Sequence, residues 1–402
     1  MKPLAGIRVL DLSRVLAGPW ATQLLADLGA EVIKVEQPGA GDDTRHWGPP
    51  WHEGGDEKVA AYYLSANRGK RSVAIDFSKP EGAALVARMA ADADVLVENF
   101  KVGGLKKFGL DAASLRAANP RLVYASITGF GQDGPYAARA GYDYIIQGMG
   151  GLMSLTGLPD GEPGGGPMRA GVAVADLFTG MYASNAIIAA LYRRRETGEG
   201  ATIDMALFDT QLAMLANQAS NAMVSGVDPQ RQGAGHPNIV PYQPFAAADR
   251  AIIVAVGNDR QFAKLAAILG HSEWVGDPRF ATNAARVAAR EQLVPMISEI
   301  IARKPAAEWL EQFEQAGIPA GPINSVSQAL ADPQAVHRGA RISGDGGALG
   351  EVPMVGCPIR IDGERIDAPL PPPALGEHGE LLREMLGDEE YRRLQLAGVI
   401  GA

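Results

Sequence analysis

From residue 6 to residue 128, short apolar runs rich in β-branched side chains alternate with longer stretches whose apolar residues recur every three or four positions. That rhythm predicts strand–helix–strand units around a mostly parallel sheet. Residues 6–12 read as a strand, 19–28 as a helix with proline in its first turn, and 31–36 as a second strand. A second unit puts a strand at 71–77, then Ser78-Lys79-Pro80-Glu81 as a capping box opening a helix to about residue 91, then a strand at 95–100. A short helix at 114–118 precedes 121–128, whose continuous apolar and β-branched character suits a strand buried on both faces.

Beyond residue 128 the pattern loosens. Residues 129–170 are rich in glycine and proline yet keep Tyr142 and Tyr144, which predicts a long functional connection rather than a linker. An apolar helix follows over 175–195, stopped by Gly198 and Gly200; its uncharged run, 177–192, is short for a bilayer span and reads as a buried helix. A strand at 201–207 and a helix at 209–225 come next. After Gly226 the character changes: a polar stretch at 230–244, a hairpin with strands 245–248 and 251–256 around Asp249-Arg250, and helices at 259–269, 284–301 and 306–315 predict a smaller α+β unit. From about Ser325, proline-rich loops that include Pro369 and Pro371-Pro372-Pro373 lead to a last charged helix near 376–386.

Composition narrows the function. A chain of 402 residues suits two domains. With 37 Lys and Arg against 46 Asp and Glu, the net charge of -9 disfavours nucleic acid as a partner. The 49 glycines and 27 prolines exceed the average without reaching low complexity. The single cysteine, Cys357, allows neither an intrachain disulfide nor the usual cysteine zinc sites, so the chain reads as cytoplasmic. Arg8 and Asp11 interrupt the apolar residues of the N-terminus, so neither a signal peptide nor a membrane partner is expected.

Gly129-Phe130-Gly131-Gln132-Asp133-Gly134 matches a dinucleotide fingerprint, but Pro135 and more glycine follow where a helix should open, so the glycines read as a sharp loop at a strand's end. Such loops line the crevice of an open sheet. Cations concentrate in the first third, among them Arg14, Arg45, Lys79, Lys101 and Lys107; they suit either a solvated face or a phosphate-bearing ligand. Asp176 opens the long apolar helix. Its ordinary reading is a helix N-cap or first-turn carboxylate, and its sharper one a nucleophile that attacks an acyl carbon while glycine-loop amides meet the oxyanion. The six histidines form no H-x-x-x-H or H-E-x-x-H pair, no G-x-S-x-G is present, and no metal site is expected.

Several segments together resemble one family. Leu4-Ala5-Gly6-Ile7-Arg8-Val9-Leu10-Asp11-Leu12-Ser13, Ala17-Gly18-Pro19, Leu28-Gly29-Ala30-Glu31-Val32-Ile33-Lys34-Val35-Glu36, Asn67-Arg68-Gly69-Lys70-Arg71-Ser72, Val97-Glu98-Asn99-Phe100 and Thr128-Gly129-Phe130-Gly131 are similar to the class III CoA-transferases, the CaiB/BaiF family of formyl-CoA and carnitine CoA-transferases. The resemblance implies an acyl-CoA:carboxylate CoA-transferase with Asp176 as the acyl-carrying aspartate and no permanently bound cofactor. It implies a Rossmann-like large domain from 1–225 and 326–402, a small α+β domain from 226–325, and an interlocked homodimer; the composition changes near Gly226 and Ser325 fit that division.

The same resemblance sets expectations for the site. CoA-binding positions are Val15, Ala17, Gln37, Lys79, Asn99, Phe100, Lys101, Lys107 and Arg139. Gln37 replaces an arginine of formyl-CoA transferase, while Arg14 and Leu16 replace a histidine and a glutamine, which argues against oxalate or formate. Gly233, Gly235 and His236 match a mobile glycine-rich loop that shields intermediates from water. The racemase branch carries a histidine in Arg-Ala-Gly-His-Asp, whereas this chain reads Arg139-Ala140-Gly141-Tyr142-Asp143, and a tyrosine is a poor base at neutral pH. Racemase and noncatalytic acyl-CoA binder remain the alternatives. Segments 236–243 and 257–262 look like the succinate–hydroxymethylglutarate branch, which implies succinyl-CoA and a small dicarboxylate, with Arg45 or Arg169 as candidate cations for the distal carboxylate.

Overall fold

The computed structural model describes residues 2–366 and 370–401; Pro369 lies outside the described residues. The strand–helix rhythm builds a six-stranded sheet from β1 (Arg8–Asp11), β2 (Glu31–Glu36), β3 (Lys70–Ala74), β4 (Val95–Glu98), β5 (Val123–Thr128) and β6 (Ala201–Ala206). All neighbours run parallel, in the order β3-β2-β1-β4-β5-β6. Chain order reverses between β1 and β4, the point at which doubly wound sheets open a crevice beyond the carboxyl ends of their strands. Helices α1 (Ala17–Asp27), α2 (Pro80–Ala91), α3 (Ala112–Ala118), α4 (Asp143–Met149), α5 (Val174–Thr197) and α6 (Leu207–Met214) accompany these strands.

The two-residue period of a strand decides which side chain enters which layer. Val9, Val95, Val97, Val123, Ala125 and Ile127 pack with Ala21 and Leu25 of α1 and with Ala183, Ile187 and Leu191 of α5. Leu10, Leu96 and Tyr124 join a second core with Leu85, Val86 and Met89 of α2, Leu115 of α3, and Leu382 and Leu394 from the helices Gly379–Leu386 and Asp388–Leu396. Covered on both faces, the strands can be apolar throughout. Helix α5 is long and apolar enough to cross a membrane by length and composition, yet its buried residues pack on α1 and the sheet. Gly180 lets those two helices touch: a Cβ there would lie 2.6 Å from the Ala17 carbonyl oxygen.

The chain divides into two compact units, Met1–Leu152 with Ala170–Ser220 and Pro333–Ala402, and Met153–Arg169 with Asn221–Asp332. The second unit holds a three-stranded antiparallel sheet in which Tyr242–Ala246 and Ala320–Pro322 flank Ala251–Ala255. Phe245, Ile252, Val254, Phe262, Leu293, Ile297, Trp309 and Phe313 form its core. Arg286 is fully buried there, bonded to Asp259 and to the carbonyls of Val240 and Phe280.

Several local expectations are corrected. The Ser78–Glu81 capping box does not form: Lys79 is the N-cap of α2, and the Ser78 hydroxyl turns back to Asp76 at 2.5 Å. The 129–170 connection contains α4 and the short helix Leu152–Leu155. The helix expected at 209–225 is broken at Ala216, where φ is 46°, and the one at 284–301 is broken at Ala289. The antiparallel pair Arg341–Asp345 and Glu351–Val355 had no counterpart among the expected strands.

Candidate active site

Asp11 ends β1 and begins the site. One oxygen of its buried carboxylate accepts the N–H (2.9 Å) and hydroxyl of Ser13; the other accepts the Thr22 hydroxyl (2.6 Å) and the Lys70 ammonium (3.0 Å). The turn thus fixed carries residues 13–15 across the end of β4, where Asn99 holds both backbone groups of Arg14. The Arg14 N–H donates to Asn99 Oδ1 at 2.8 Å, and Asn99 Nδ2 donates to the Arg14 carbonyl at 2.6 Å. This pair of bonds joins the loops after β1 and β4, the strands between which chain order reverses.

A cleft of about 190 Å³ opens there, lined by residues 14–17 and 99–102, by Thr128 at the end of β5 and Gly129 after it, and by Arg139, Tyr142, Asp176 and Leu207. Gly129 is required by contact, because a Cβ would lie 2.4 Å from the Cα of Gly141 on the facing segment. Arg14 stands 3.2 Å from Asp43 and over the Phe100 ring, while Arg139 lies over the ring of Tyr136. Apolar wall and guanidinium or ammonium groups in one crevice suit an extended ligand with anionic groups.

Asp176 lies in the first turn of α5, whose N-cap, Ala173, makes no side-chain capping bond. The cap comes from Asp143 at the start of α4. Its Oδ1 accepts the N–H of Ala175 at 2.8 Å and of Asp176 at 3.4 Å, and its Oδ2 accepts from Gln147 Nε2 at 2.6 Å. Two carboxylates therefore share one helix end. Burial first, and the Asp143 charge second, push Asp176 up from 3.8 to about 7. A desolvated carboxylate that still ionises near neutral pH is equipped to attack an acyl carbon. Tyr62 is raised by burial and then by Asp176, Asp143 and Asp42, so a neutral phenol stands within electrostatic reach of these carboxylates.

Val15, Ala17, Asn99, Phe100, Lys101, Arg139, Tyr142 and Asp176 line the same cleft; Gln37, Lys79, Lys107 and Arg45 are not among its lining residues. Lys79 donates to the carbonyls of Ala397 and Gly398, both at 2.9 Å, Lys107 lies over the Phe108 ring, and Gln37 is bonded to Asp76. Arg45 is buried, with its charge matched by Glu36 through bonds of 2.8 and 2.7 Å. Arg169, Gly233, Gly235 and His236 belong to the second unit. There Gly233 N–H bonds the Gly157 carbonyl, and His236 Nδ1 accepts from the Asn238 N–H at 3.1 Å. Among the described residues, no group of three or more His, Cys, Asp or Glu is placed to hold a metal ion. Sequence reasoning missed the parts played by Asp143, Tyr62 and Asp42. Asp143 was visible as the end of the Arg139–Asp143 run, but its bond to a backbone 32 residues away has no local signal.

Fold and cleft together define a doubly wound α/β enzyme with a desolvated carboxylate at its sheet's switch point. Residues 4–379 match the family model of CoA-transferase family III, and the chain belongs to that family; it is a CoA-transferase that uses CoA thioesters as substrates. It is 52% identical over 386 residues to a succinate–glutarate CoA-transferase of Agrobacterium fabrum, covering 95% of this chain and 96% of the relative. It is 42% identical over 403 residues to the succinyl-CoA:glutarate CoA-transferase of Homo sapiens, covering 100% of this chain and 90% of the relative. A crystal structure of a CAIB/BAIF family protein from Brucella suis superimposes with a TM-score of 0.84 at 50% identity, covering 96% of this chain and 99% of that one.

Proposed function

We propose that this protein moves CoA from succinyl-CoA to a small dicarboxylate of glutarate length, with Asp176 as the covalent acyl carrier. The observation that carries the mechanism is the Asp176 carboxyl, raised to about 7 and facing the cleft. The substrate reading is supported by the succinyl-CoA and glutarate activities of the relatives at 52% and 42% identity.

In this reading the ionised Asp176 attacks the thioester carbonyl of succinyl-CoA. The C–S bond breaks, CoA thiolate leaves, and an aspartyl–succinyl anhydride remains. The thiolate then attacks the aspartyl carbon, which releases succinate and leaves an aspartyl-CoA thioester. The acceptor carboxylate attacks that carbon, expelling thiolate and forming a second anhydride; thiolate attack on the acceptor's acyl carbon completes the new CoA ester and restores Asp176. Each step exchanges one activated acyl bond for another, so the barriers stay comparable. No permanently bound cofactor enters. CoA lies along the cleft, with Asn99 and Phe100 against its pantetheine and adenine side and Lys101 and Arg139 toward anionic groups. The large domain comes from both ends of the chain, two chains form an interlocked homodimer, and the enzyme works in the cytoplasm.

The test is transfer from succinyl-CoA to a panel of mono- and dicarboxylic acids, read as new CoA esters by chromatography. Glutarate-length acids are expected to react fastest, and Asp176→Ala to lose transfer by at least about a thousandfold. Retained transfer in that variant rejects the covalent mechanism. Solvent deuterium entering the α-carbon of a 2-methylacyl-CoA without any acceptor would instead favour racemase chemistry.

A further inference from the structure

Val15 is held in an unusual geometry for a cleft residue. Its φ is 70°, a left-handed value that β-branched side chains avoid. Among the described non-glycine residues only Ala216 and Asp362 share a positive φ, and neither lines the cleft. The neighbouring Leu16 and Ala17 do line it, so a change at Val15 would move the whole wall from which α1 starts.

The backbone around Val15 is gripped from outside. Lys34, from β2, donates its ammonium to the Ser13 carbonyl at 2.8 Å and to Asp42 Oδ2 at 2.9 Å. Asp42 in turn accepts the Val15 N–H, at 3.3 Å on Oδ1 and 3.2 Å on Oδ2. Thr44 steadies Asp42 through its N–H (3.0 Å) and hydroxyl (2.8 Å), both to Oδ1. Both charged side chains are fully buried. Such a pair adds little stability over an apolar pair of the same volume. Here, however, its hydrogen bonds close a ring around the peptide units on either side of Arg14. Although burial opposes it, the Lys34 charge, with the Thr44 and Lys34 hydrogen bonds, holds the Asp42 carboxyl down to about 2, so the grip persists over the working pH range.

We propose that the buried Lys34–Asp42 pair is a positioning device that keeps Val15 in its left-handed turn and so sets the wall of the acyl-CoA cleft. Neither residue touches substrate; both act through Val15. Glycine would adopt this turn unaided. Valine supplies an apolar side chain to the cleft and needs the grip. The proposal rests on the cleft being the CoA-ester site.

The test is a double-mutant cycle on the full-length enzyme. Transfer kinetics from succinyl-CoA to glutarate are measured for the wild type, Asp42→Asn, Val15→Gly and the double variant, each checked for folding by thermal melt. Asp42→Asn is expected to lower kcat/KM by about a hundredfold, chiefly by raising the KM for succinyl-CoA. The same substitution in the Val15→Gly background is expected to cost less than about fivefold, because the turn no longer needs holding. Equal losses in the two backgrounds overturn the proposal. Should Asp42→Asn fail to fold, Thr44→Val loosens Asp42 at nearly constant shape and carries the same comparison, with an expected loss of about fivefold that vanishes in the Val15→Gly background. If the wild type transfers CoA to no acid, the functional reading fails on its own; succinyl-CoA affinity of the same proteins, measured by calorimetry, then decides the positioning role by the same comparison.

Discussion

At Asp176 three effects meet: burial and the Asp143 carboxylate favour the protonated form, and the N-terminus of α5 favours the anion. In the proposed mechanism Asp176 acts in its ionised form, so the acid limb of the pH–rate profile should report this balance. Asp143→Asn removes the like charge but leaves the burial, so the limb in kcat/KM should move part of the way down from about 7. An unmoved limb would mean that Asp143 does not act on Asp176 by charge. The same shift predicts stability. The folded Asp176 binds its proton more tightly than the unfolded one, so its contribution is complete below about pH 4 and is lost as pH rises through about 7. For a shift from 3.8 to about 7 the loss is on the order of 4 kcal/mol. Asp176→Asn is therefore expected to melt above the wild type at pH 8, by a margin that shrinks at pH 5. Position 176 was legible in the sequence as a carboxylate opening a helix. Its raised pKa was not, because it comes from burial first and the Asp143 charge second, and local pattern shows neither.

The strands were the most legible elements. Their apolar runs are long enough to be told from loops, and residues such as Val95, Leu96 and Val97 are apolar at consecutive positions because both faces are covered. Local rules failed where a distant partner competed for the same group. Ser78 has the spacing of a capping box but gives its hydroxyl to Asp76, and α4 emerged from a glycine-rich stretch whose Ile146 is buried against the sheet. Gly180 shows the reverse dependence. Inside an apolar helix it weakens local propensity, and its reason is the 2.6 Å that a Cβ would leave to the Ala17 carbonyl. Gly180→Ala should separate α1 from α5, which bring Ala17 and Asp176 to the cleft. The expected cost is about 1–3 kcal/mol in a denaturant melt, together with reduced kcat/KM; an unchanged melt would mean the two helices give way freely.

For the whole molecule, α4 and α5 leave Tyr144, Ile145, Phe178, Tyr182 and Tyr192 exposed, an apolar display that fits the proposed homodimer. Sedimentation should therefore return twice the chain mass at micromolar concentration, and a monomer would reject the assembly. By itself the sequence determined the α/β class and the family, and through that resemblance pointed to Asp176 as the proposed acyl carrier, because periodicity and short motifs survive in linear order. The family resemblance also pointed to Val15, Ala17, Asn99, Phe100, Lys101 and Arg139, all of which line the cleft. It could not separate cleft cations from those held elsewhere: Lys79 spends its ammonium on two carbonyls and Arg45 is matched by Glu36, partnerships that exist only once distant segments pack. Tertiary structure alone decided the desolvation of Asp176, its second carboxylate and the buried pair behind Val15, since burial and charge proximity are properties of the folded arrangement.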